Sequence, residues 1–108
     1  IINNIYMEET IVKIIKSTQK GKKYTAIVRD NETKKERKIS FGSIFYEQFK
    51  DSTPLKLYKS KDHGDVKRKR NYFNRHSGVK TKAEALSNEI AKSGGRYNAK
   101  ILSHKYLW

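Results

Sequence analysis

Tyr24–Asp30, YTAIVRD, is the stretch that most narrows what this chain can become. Tyr24, Ala26 and Val28 fall on one side of an extended chain, and Thr25, Ile27 and Arg29 on the other. A period of two over that length is the pattern of a half-buried strand. The segments around it agree. Glu9–Thr18, ETIVKIIKST, is rich in β-branched residues, with apolar side chains at both odd and even positions. The turn Gln19-Lys20-Gly21-Lys22 joins it to Tyr24. Asn31–Lys35 is a polar hairpin loop, and Glu36–Phe41, ERKISF, returns with Ile39 and Phe41 on one side. The first part of the chain therefore predicts a three-stranded antiparallel meander over residues 9–42, stopped by Gly42. Ile1–Met7, within a possible arm at residues 1–8, reads as an edge strand or a docking segment.

The meander leaves one face to be covered, and the rest of the sequence supplies the cover. Ser43–Gln48 predicts a short helix or turn whose Ile44 and Phe45, with Phe49, plug the sheet. Pro54 marks a break, and Leu55–Tyr58 a short extended lead. Asp62 or Asp65 is placed to cap a helix over Val66–His76, since helix N-termini favour small polar acceptors and negative charge. Val66, Lys69, Tyr72 or Phe73, and His76 form its packing face. Ser77-Gly78 ends it. Thr81 and Glu84 form a capping box for a helix over Thr81–Ser93, with Ala85, Leu86, Ile90 and Ala83 as its apolar stripe. Gly94-Gly95 stops that helix. Asn98–Leu107 gives a last helix or strand, with Ile101, Leu102, Tyr106, Leu107 and Trp108 as core. The expected fold is α+β: a three-stranded antiparallel sheet with two to three helices packed on one face. At 108 residues it is one domain with one modest core, its basic helical part spanning residues 59–108.

Charge decides the function class. Lys and Arg number 25 against 11 acids, a formal net charge of +14. The excess runs the length of the chain: residues 1–60 hold 13 basic and 7 acidic side chains, and residues 61–108 hold 12 and 4. A compact domain so charged repels itself, and an anionic partner relieves that repulsion. Nucleic acid is the commonest such partner. The densest cationic run is Lys67-Arg68-Lys69-Arg70, followed by Tyr72, Phe73, Arg75 and His76. Lys67, Arg68, Arg70 and Arg75 are the expected phosphate contacts, with Lys59, Lys61 and Lys80 flanking. Asn71 and Asn74 are within reach of base edges, and the basic turn Gly94-Gly95-Arg96 adds Arg96. Nothing in the spacing encodes base reading, so the expected binding is backbone-directed and of low specificity, to double-stranded DNA first. Tyr58 and Tyr97, beside basic residues, are the candidate stacking tyrosines.

The absence of cysteine removes disulfides, thiolate zinc sites and cysteine nucleophiles together. His63, Asp65, His76 and His104 carry no ligand spacing of any specificity. Asp65 reads as a helix cap and His76 as a buried, hydrogen-bonded ring. No P-loop or dinucleotide fingerprint occurs. The sequence thus calls for no cofactor, no metal, no small-molecule substrate and no enzymatic activity. No apolar run reaches membrane-span length, and no signal peptide is visible. The chain begins at Ile1 and not Met, which reads as processing or as a piece of a longer product.

The order of short motifs adds a context. Phe41-Gly42 is followed by Phe45, Tyr46 and Phe49, then by Asp62-His63-x-Asp65, Tyr72 and Phe73 before Arg75-His76, and a closing Tyr106-Leu107-Trp108. Over residues 24–108 this order resembles a family of small basic proteins of unknown function from large nucleocytoplasmic DNA viruses. The Thr81–Ser93 helix departs from the resemblance as an insertion. The resemblance implies a viral protein, in the virion or the infected cell's nucleus or virus factory, and supplies no catalytic residues. It also leaves open a structural role, as a minor capsid or cement component whose charge meets acidic capsid or membrane surfaces, with other virion proteins or a second copy as partners.

Overall fold

The computed structural model describes residues 7–108, so residues 1–6 of the expected arm lie outside it. Its fold is α+β. Strands β1 (Glu9–Lys16), β2 (Lys22–Asp30) and β3 (Glu36–Ser43) form an antiparallel sheet in the order β1-β2-β3. Helices α1 (Val66–Ser77), α2 (Lys82–Ser93) and α3 (Ala99–Tyr106) follow, after one 3-10 turn at Lys59–Lys61.

The ambiguous patterning of β1 resolves through a bulge. Ile11 pairs with Val28 but Lys13 pairs with Ile27, so Val12 is the extra residue. Ile11 and Ile14, three apart, thereby reach the same face. They join Tyr24, Ala26, Val28, Ile39 and Phe41 beneath Leu102 and Leu107 at the helical layer. Val12 is left exposed. A second, smaller cluster of Tyr72, Phe73 and Ala85 holds α1 to α2, and Trp108 packs on both clusters.

Three local expectations are corrected. Gly42 does not end β3; it lies inside the strand at φ +77°. A Cβ there would lie 2.8 Å from Leu107 Cδ1 and 3.3 Å from the Lys23 stem. Gly42→Ala is therefore expected to lower stability by about 2 kcal/mol, from left-handed backbone strain plus overpacking. Urea denaturation checks this; a neutral variant would mean that Leu107 simply moves aside. Second, Phe45 does not plug the sheet. It is 76% exposed, and Gln48 is buried instead. The cause is Lys23, whose amine is buried and donates to the Tyr46 carbonyl at 2.8 Å and to Gln48 Oε1. Satisfying those protons turns the amide inward and the rings outward. Third, Leu55–Tyr58 is not extended. It wraps around the buried Asp51, which accepts from Tyr24 Oη, from the Thr53 hydroxyl at 2.6 Å and from the Tyr58 amide at 3.1 Å.

The helix stops and caps follow the sequence closely. Asp65, Thr81 and Asn98 cap α1, α2 and α3 through their side chains. Gly78 and Gly94 end the first two in the left-handed region. On α2 the expected stripe shifts: Ala83 is exposed, and Glu89 is buried beside Ala85.

Candidate nucleic-acid interface

Asp65 starts α1 by accepting from the Lys67 and Arg68 amides at 2.9 and 3.1 Å. Its own amide donates to His63 Nδ1 at 2.9 Å. No acid occupies the first turn. Lys67 and Arg68 therefore sit at the end where the helix dipole disfavours cations. The run Lys67–Arg70 also crowds like charges within one turn. This helix is poorly designed for isolated stability and well suited to an anion.

Its buried side is carried by Tyr72 and Phe73, with Lys69 over the Phe49 ring at 4.5 Å. Val66 and His76, expected on that side, are both exposed. The contacts that bury α1 come in its second half, so Val66 in the first turn has no wall to meet. The buried histidine is His104 on α3, not His76. His104 Nδ1 lies 2.9 Å from Tyr72 Oη, and Nε2 lies 2.8 Å from Ser77 Oγ.

The outward side presents Lys67, Asn71 and Asn74 in one line, with Arg70 on one flank and Arg75 on the other. All five are exposed. Among the described residues, none of these five side chains has a carboxylate within ion-pair distance or a hydrogen-bond partner. Lys59 and Lys80 are exposed as well, and Lys61 is half-buried in the 3-10 turn. Two expected contacts are differently engaged. Arg68 pairs with Glu47 at 2.9 Å, both side chains about half exposed. Arg96 does not join this surface. It binds Glu9 at 3.2 Å and Asp30 at 3.3 Å, at the opposite end of the strands.

Beside α1 lies a cleft of about 610 Å³. The first residues of β2, the last of β3, the turn at 46–48, α1 and α3 enclose it. Lys22, Arg68, Arg75 and Lys100 bring positive charge to it, and among the described residues Glu47 is the one acidic side chain in its lining. The Arg68 guanidinium holds the Glu47 carboxyl below the usual carboxylate range. Deeper, burial pulls the Lys23 amine down to about 8. The floor is apolar: Leu107, Tyr72 and Trp108, the last two stacked at 4.2 Å and 3°.

The expected stacking tyrosines are occupied. Tyr58 meets Tyr24 edge-on at 5.4 Å, and Tyr97 packs on the core. Phe45 and Tyr46 are the open aromatics, and of the two Tyr46, 72% exposed, lies on the cleft wall. Its signal in the sequence was three aromatics within Phe45–Phe49, more than one short turn can bury. His63 and Asp65 meet at the start of α1, whereas His76 lies at its far end and His104 on α3. Among the described residues no group of three His, Cys, Asp or Glu side chains is arranged to hold a metal ion. No helix among them is long and apolar enough to cross a membrane.

Residues 12–61 match a family of unknown function, DUF5754. The matched span holds most of the sheet and the polar loop around Asp51, under half of the chain, and stops before α1. No curated protein and no solved structure matches the chain.

Proposed function

We propose that this chain is a non-enzymatic nucleic-acid-binding protein that engages mainly the phosphate backbone, with low sequence specificity. The observation that carries the reading is the cationic ridge of α1, Lys67, Arg70 and Arg75 with Asn71 and Asn74 among them, unpaired among the described residues, in a chain of net charge +14. Rigid helical cations without internal acids are available to phosphates at no cost in broken ion pairs. The asparagines hydrogen-bond to phosphate as readily as to bases, so the ridge favours position over sequence. The viral setting rests on the resemblance in motif order.

The test is duplex DNA binding by fluorescence anisotropy at 50 and 200 mM salt. About four neutralised phosphates give a fall in affinity on the order of 100-fold between those concentrations. Changing Lys67, Arg68, Arg70 and Arg75 to Ala is expected to leave the fold intact, since among the described residues the only ion pair lost is the exposed one to Glu47. It should remove most of the affinity and flatten the salt slope. Salt-insensitive binding by the parent protein, or undiminished binding by the variant, would sink the reading.

A further inference from the structure

We infer that the cleft between α1, α3 and the β2–β3 end is a pocket for a single phosphorylated nucleoside, with the phosphate at the Lys22–Arg75–Lys100 rim and the base against Tyr46. The choice of nucleotide rests on the nucleic-acid reading above; the pocket itself rests on its own geometry. At about 610 Å³ the cleft falls within the range of small-molecule sites, roughly 300–1,000 Å³, and is far too small for a duplex. The outer ridge of α1 and this cleft therefore meet different forms of nucleic acid.

Its chemistry is divided in the way a nucleotide is divided. The rim is cationic, and its one acid is already bound to Arg68. Arg75 is unpaired among the described residues, and its planar guanidinium suits a phosphate bidentately. Lys100 donates to the His76 carbonyl at 3.2 Å and lies 3.8 Å from Glu89 Oε1; both contacts anchor its amine beside α1, and its 45% exposure leaves it open to a phosphate from the cleft side. The floor is apolar and fixed. Trp108 stacks on Tyr72 at 4.2 Å and meets His63 at a tilt of 54°, 5.3 Å away. The stack takes one face of the indole and fixes the ring as a floor. Tyr46 has the free ring, and its backbone is held by the bond from Lys23. A simple anion has no use for the aromatic wall, and an apolar ligand has none for four cations. Base–aromatic stacking with phosphate at a cationic rim uses both.

Two sources share this chemistry: a free nucleotide and the phosphorylated end of a single strand. Trp108, the only tryptophan, reports from the floor. Its emission is to be followed while the full chain is titrated with dAMP, deoxyadenosine, inorganic phosphate, and a short single strand with and without a 5′-phosphate, corrected for nucleotide absorbance. Expected is a saturable change with dAMP at an affinity at least tenfold above that for deoxyadenosine or inorganic phosphate. A 5′-phosphorylated strand that binds as tightly as dAMP or tighter identifies the strand end as the source; dAMP alone identifies the free nucleotide. The double variant Lys22→Gln, Tyr46→Ala should lose at least tenfold in dAMP affinity with its melting temperature and duplex binding unchanged. No response to either phosphorylated ligand, an equal response to inorganic phosphate, or full retention by the double variant overturns the pocket. Loss of salt-dependent duplex binding with the dAMP response intact strikes the ridge reading alone.

Discussion

Glu9→Gln is expected to lower the unfolding free energy by about 3 kcal/mol, measured by urea denaturation at pH 7. Glu9 is only 2% exposed at the start of β1. Arg37 grips it bidentately, Nε to Oε2 at 2.8 Å and Nη2 to Oε1 at 2.9 Å. Arg96 Nη2 donates at 3.2 Å and the Tyr97 amide at 2.8 Å. One carboxylate thus ties β1 to β3 and to the segment leading into α3. Its pKa is lowered, chiefly by the hydrogen bond from Arg37 and against the opposing effect of burial. Glutamine keeps the volume but presents an amide donor where every partner is also a donor. The two guanidiniums are 43% and 49% exposed, so water rescues part of their charge. That holds the cost to the low end of the roughly 3–5 kcal/mol seen when a buried ion pair loses one member. A loss under about 1 kcal/mol would show the cluster to be an ordinary surface pair. Because the shift is downward, the stability that Glu9 contributes is present above its ordinary pKa of 4.5 and is lost as pH falls through the depressed value.

Glu9 and Arg96 also show where a sequence stops being legible. Strands, caps and helix stops were readable because each depends on residues a few positions apart: the alternation of β2, Asp65 before Val66, Thr81 before Glu84. The ion pair from Arg96 to Glu9 joins residues 87 positions apart, and no local pattern encodes it. Arg96 therefore counted as free charge in the sequence and is structural in the fold. The buried polar residues Lys23, Gln48, Asp51, Glu89 and His104 were missed for a related reason. Their types are usually exposed, and what buries them is a partner for every proton. The cleft inherits that difficulty. Arg68 and Arg75 were readable as cations, but Lys22, Tyr46 and Lys100 come to them from three other parts of the chain. The bulge at Val12 was signalled only as an excess of apolar residues on both faces of β1.

The buried relay under α1 yields the second large effect, in its response to acid. Ser77 has one proton and donates it to Glu89 Oε2 at 3.0 Å. It must then accept from His104 Nε2–H, which leaves Nδ1 to accept from Tyr72 Oη. The chain Tyr72, His104, Ser77, Glu89 crosses all three helices and is satisfied only with His104 neutral. Burial pulls the His104 pKa from 6.5 to about 4, with Glu89 raising it in part and His76, Lys100 and Lys82 lowering it further. Above 6.5 neither the folded nor the unfolded ring is protonated, and nothing changes with pH. Between 6.5 and about 4 the unfolded ring takes a proton that the folded one refuses. Stability therefore falls as pH falls through that window, by about 3 kcal/mol at ~1.4 kcal/mol per pKa unit. The pKa values of His63 and His76 are also lowered, first by partial desolvation and then by the neighbouring Arg68 and Arg75, and act in the same direction. Urea denaturation from pH 7.5 to 4 should show this decline. His104→Gln should start lower at pH 7.5, since an amide cannot keep both bonds in line, but decline less across the window. A variant whose decline matches the parent's would place the acid sensitivity elsewhere and leave His104 as a ring that accommodates charge within the core.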